Sequence, residues 1–93
     1  MTQTWTAFLN ARFDEDEAML RAWVERMDRE DPEGASDHEW QASRSWAEIA
    51  KNRLILQAAN SLEMVHRGRG RVFLAALALP YVDQPDYREE WRP

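Results

Sequence analysis

The sequence predicts an all-α fold: a long antiparallel helix hairpin, a short third helix and an aromatic C-terminal tail packed on it. Three observations carry this prediction. Residues 4–28 and 37–66 each set their apolar side chains at helical spacing and contain no glycine or proline. The breakers fall between these stretches and after them, at Pro32 and Gly34, at Gly68 and Gly70, and from Pro80 onward. Five Trp, three Phe and two Tyr make a heavy aromatic load for 93 residues. Each buried ring removes roughly 150–250 Å² from water, so these rings can supply much of a small core.

The first helix is predicted over 4–28. Trp5, Phe8, Leu9, Phe13, Met19, Leu20, Trp23, Val24 and Met27 fall on one wide stripe, and Thr4 can cap its start. Residues 29–36 form a loop, because Asp31 precedes Pro32 and is biased away from helix. Ser36 and Glu39 then make a capping-box pattern that opens a second helix over 37–66. A helix of that length is about 45 Å long. A compact chain of this size has a radius of gyration near 12 Å. The helix must therefore bend, or the molecule is elongated, or a second chain covers the overhang.

The second helix has two apolar sides. One holds Trp40, Ala47, Leu54, Ile55, Ala58, Leu62 and Val65, interrupted by Arg44 and Lys51. The other holds Ala42, Trp46, Ile49, Leu56 and Met64. Such a helix lies between two layers. One is the first helix; the other is the third segment and tail, or a copy of the same chain. A turn over 67–71 follows, with Gly68 as a left-handed cap. A short helix over 72–79 ends at Pro80. The tail, residues 80–93, holds Tyr81, Tyr87 and Trp91, which must dock on something. A structural strap on the chain's own domain is the expected role, and a partner-binding strand is the other.

Folding the two long helices antiparallel sets Asp16 near Lys51, a predicted interhelical ion pair. Arg12 and Asp16, four residues apart, can also pair along the first helix. Charge is uneven. Residues 14–39 hold eleven acidic and three basic residues, whereas 40–71 hold two acidic and six basic, within a net charge of −5. The two halves of the hairpin should attract each other.

Several classes of chemistry are missing from the sequence. No cysteine is present, so no disulfide framework or thiolate metal site exists. His38 and His66 lie at opposite ends of one helix, with no paired-ligand spacing for zinc or a di-iron centre. Asp14, Glu15, Asp16 and Glu17 are consecutive, and on a helix consecutive residues cannot converge on one ion. There is no phosphate loop and no nucleophile elbow. No cofactor and no catalytic set is expected. No signal peptide or membrane span is visible, which with the absent cysteines suits a cytoplasmic protein.

The segment from Ala78 to Trp91, ALPYVDQPDYREEW, carries a resemblance, with weaker support from ARFDEDE at 11–17 and AKNRLIL at 50–56. It resembles the tail of a family of small uncharacterised actinobacterial and actinophage proteins, a domain of unknown function ending in ALPY-x-D-x-PDYR-x-EW. The resemblance covers about a third of the chain and implies no activity.

The functional expectation is a non-catalytic interaction or adaptor protein. It would form a homodimer through Trp46, Ile49, Leu56 and Met64 and bind an unidentified protein partner. The alternative is a nucleic-acid-associated regulator using Arg67, Arg69 and Arg71, whose basic turn could contact phosphates.

Overall fold

The computed structural model of the protein describes residues 4–92. It is predominantly helical, with no strand among the described residues. Helix α1 spans Trp5–Glu30 and α2 spans Ala35–Val65, packed antiparallel; α3 spans Arg71–Ala78. Single 3-10 turns occupy Pro32–Gly34, Leu79–Tyr81 and Glu89–Trp91. The all-α hairpin with a short third helix is thus the observed fold.

Thr4 caps α1 as its position suggests: its Oγ1 accepts from the Ala7 amide at 3.1 Å. The second helix starts earlier than its capping box implies. Pro32 opens a 3-10 turn that runs directly into α2, so Ala35 is already helical and Ser36 lies inside the first turn. Gly34 precedes α2 without a side-chain cap. At the far end, α2 stops at Val65, and Gly68 takes the left-handed backbone at φ 94° in the turn that follows. Pro80 ends the α-helical backbone at Ala78 and is absorbed into the next 3-10 turn.

The molecule is elongated. It measures 51 × 26 × 21 Å, with a radius of gyration of 16.0 Å, against about 12 Å for a compact chain of this length. Helix α2 does not bend back on itself; it sets the long axis.

The core lies toward one end of this rod. Phe8, Leu9 and Phe13 of α1 are fully enclosed by Ile49, Leu56 and Ala59 of α2, Leu74 and Ala78 of α3, and Trp91 of the tail. The opposite end, around the hairpin tip, is thinner. There His38 is buried with its ring edge-on to Trp23, centroids 5.7 Å apart, and its Nε2 lies 3.2 Å from an Asp31 carboxylate oxygen.

Helix α2 presents its two apolar sides in the opposite sense to the homodimer expectation. Ile49 and Leu56 are buried in the core, and Trp46 is half-buried against it. Met64 alone of that set is open, 88% exposed. These four residues therefore make no shared docking stripe. The outward side is the other one, with Leu54 66% and Val65 73% exposed.

Candidate functional site

Two features remain once the core is accounted for: the cradle that receives the tail, and the outward face of α2.

The cradle is built on the first half of α1. Tyr81, Tyr87 and Trp91 all dock there, in the part of the tail ahead of Pro93, which lies outside the described residues. Trp91 is 5% exposed and packs on Phe8 at a centroid distance of 5.0 Å, with Trp5 at 5.6 Å and Tyr87 at 5.7 Å. Tyr81 meets Phe8 and Phe13 edge-on. Offset and edge-on ring pairs add to the area they bury. The strap role follows from this packing.

Polar contacts fix the strap's position. The Tyr81 hydroxyl donates to Asp16 Oδ2 at 2.6 Å. Arg12 donates from Nη1 to Gln84 Oε1 at 2.8 Å, lies 3.5 Å from Asp86, and pairs through Nη2 with Glu15 at 3.0 Å. Its guanidinium also sits over the Phe8 ring. Arg12 is buried, and such a cation is tolerable only because these partners surround it.

Asp16 and Lys51 do not pair with each other. Asp16 faces the tail, and Lys51 projects from the outward side of α2, where Glu48 holds it at 2.6 Å. Arg12 likewise bonds to Glu15 and the tail rather than to Asp16. The charged link between α1 and α2 is made instead by Arg53, a residue the sequence did not single out. Its Nη2 reaches Asp14 at 2.8 Å and Glu17 at 2.9 Å, and its guanidinium stacks over Phe13. The hydrogen bond to Asp14, then that to Glu17, raises the Arg53 pKa further above its already basic value.

Burial raises the Tyr81 pKa above its ordinary value, and the hydrogen bond to the Asp16 carboxylate raises it further. The folded protein thus holds this proton more tightly than the unfolded chain does. The resulting stability is complete below the unfolded value of about 10 and is lost as pH rises above it. Thermal melts through that alkaline range should show the wild type losing stability more steeply than Tyr81→Phe. Parallel curves would mean that the phenol is not held this way.

The basic turn is ordered from within. One Glu63 carboxylate oxygen accepts from the Gly68 and Gly70 amides at 2.7 and 3.1 Å, and the other takes Arg71 at 3.2 Å. Arg71 is therefore committed to Glu63. Arg67 and Arg69 are exposed and have no ion-pair partner among the described residues.

The outward face of α2 is the remaining candidate surface. Beside α3 it forms an apolar groove of 380 Å³ lined by Ile55, Ala58, Ala59, Leu62 and Phe73. Among the described residues no cluster of side chains could hold a metal ion, and no helix is long and apolar enough to cross a membrane.

The three segments that carry the resemblance meet in space: Arg12 and Asp16 hold the tail, and Arg53 holds Asp14 and Glu17. Neither a curated protein nor a solved structure matches the chain. One family model does match, over residues 2–93, and by that match the chain belongs to DUF6221, a family of unknown function.

Proposed function

We propose that this chain is a non-catalytic helical interaction protein that self-associates through the outward face of α2. The observation behind this reading is the row of exposed side chains from Trp40 to Val65, mostly apolar and flanked by Phe73. Large exposed apolar side chains gathered along one helix face, here Trp40, Leu54 and Val65, mark interaction surfaces more often than bare solvent-facing ones. The groups best placed for chemistry, Arg12, Arg53 and Tyr81, are already engaged in holding the fold. A reducing cytoplasm suits a chain without cysteine.

A nucleic-acid role has less support. Arg71 is held by Glu63, which leaves Arg67 and Arg69 against a net charge of −5. Light scattering after gel filtration across the micromolar range tests the main reading. The expected mass is twice the 11.0 kDa of one chain. A single-chain mass throughout that range overturns it.

A further inference from the structure

Eight residues of α2 recur at alternating steps of four and three: Trp40, Arg44, Ala47, Lys51, Leu54, Ala58, Ser61 and Val65. All of them are exposed. They lie on the side of α2 opposite Ala42, Ile49 and Leu56, which face the core. This spacing is that of the seam of a two-helix coiled coil, and over this length it runs about 38 Å. Among the described residues nothing covers it.

Resting on the self-association reading, we infer that the occupant is the α2 helix of a second copy, laid antiparallel along this row. Trp40 then lies opposite Val65 of the second copy, Arg44 opposite Ser61, Ala47 opposite Ala58, and Lys51 opposite Leu54. Each pairing occurs twice about a two-fold axis, so the interface closes on itself.

Three features favour this partner. The first is charge. Carried past Val65, the same alignment brings Arg67 and Arg69 beside the acidic hairpin tip of the second copy, where Glu33 and Asp37 are exposed. The free cations of one copy thus meet free acids of the other at both ends of the seam. A parallel pairing would set basic turn against basic turn and acidic tip against acidic tip.

The second is the middle of the seam. The two Lys51 residues approach the axis, but each ammonium already lies 2.6 Å from Glu48 of its own helix, so neither arrives as an uncompensated charge. The third is size. Ala47 and Ala58 face each other where Phe73 narrows the approach, and their small side chains let the helices come close. Arg44 stacks over Trp40 of its own helix, with its charge 5.0 Å from the ring centroid, which leaves space opposite Ser61.

Engineered cysteines test this alignment directly, because the chain has none of its own. Ala47→Cys with Ala58→Cys in one chain should give a disulfide-linked dimer on mild oxidation. Within one helix these two positions are about 16 Å apart, too far to bridge. Each single variant should stay unlinked. Efficient linkage of Ala58→Cys alone would overturn the antiparallel alignment while leaving self-association standing. A monomeric wild type by light scattering would instead remove the self-association reading itself.

A charge exchange checks the ends of the seam. Arg67→Glu with Arg69→Glu should weaken the dimer roughly tenfold at low salt. Adding Glu33→Lys and Asp37→Lys to the same chain should restore it. Unchanged association in the first variant, or no recovery in the second, would show that these groups do not face each other.

Discussion

Trp91→Ala should destabilise the protein by about 3–5 kcal/mol, equivalent to a fall in melting temperature of at least roughly 12 °C for a domain of this size. The indole fills the space between Trp5, Phe8 and Tyr87 and is almost fully enclosed. Its removal leaves a cavity against Phe8, which sits at the centre of the aromatic cluster and cannot follow the lost ring without leaving Phe13 and Tyr81. The loss should also loosen the whole strap, because Arg12, Gln84 and Asp86 hold a segment that Trp91 anchors at its end. Trp91→Phe should recover part of the loss. A Trp91→Ala melting curve that overlays the wild type would mean that the tail is not part of the core.

Gly70→Ala should cost about 1–3 kcal/mol, toward the upper end. A methyl group at this position would collide with the Ala59 carbonyl oxygen and come within 2.8 Å of Glu63 Cβ and 3.0 Å of the Glu63 amide nitrogen. Two of these neighbours are helix backbone and cannot rotate away. Helices α2 and α3 would have to separate, taking Leu74 and Ala78 off the core. Gly68→Ala is the informative control. Its φ of 94° penalises a side chain, but nothing lies within 4 Å of the added atom. The strain there is on the order of 1–2 kcal/mol, and the α2–α3 contact survives. Denaturant midpoints of the two variants should fall in that order. A larger loss for Gly68→Ala would show that close helix approach at Gly70 is not what constrains this turn.

The helices themselves were legible because spacing and breakers agree. Every stretch free of glycine and proline that shows a helical period became a helix. The docking of Tyr81, Tyr87 and Trp91 was legible too, since so much apolar surface so near the end of a helical domain has few places to go. The orientation of α2 was not. Both of its sides are apolar, and period alone cannot say which side turns inward. A signal was present: Arg44 and Lys51 interrupt the stripe running from Trp40 to Val65. Two long cations within an apolar row mark the side that turns away from the chain's own core, where they snorkel or pair locally as Lys51 does with Glu48.

The Asp16–Lys51 pairing failed for the same reason. The antiparallel alignment along the hairpin was close, as the Thr6–Asn60 hydrogen bond and the Arg53–Asp14 pair show. The rotation of α2 about its own axis was not available. That rotation decides whether position 51 or position 53 meets the acids of α1. It is settled by how Phe8, Phe13 and Trp91 fill space, which depends on shapes the sequence pattern does not encode.

The meeting of Phe8 with Trp91 also bears on the order in which the chain folds. The contacts between α1 and α2 can form as one local hairpin closes. The bonds from Arg12 to Gln84 join residues 72 positions apart, and closing so long a loop is entropically costly until the hairpin has drawn its ends together. The strap is then the last part to arrive and the first that can leave. Trp91→Ala should therefore speed unfolding and leave the refolding rate nearly unchanged in stopped-flow measurements; a matching loss in the refolding rate would place the strap in the folding nucleus.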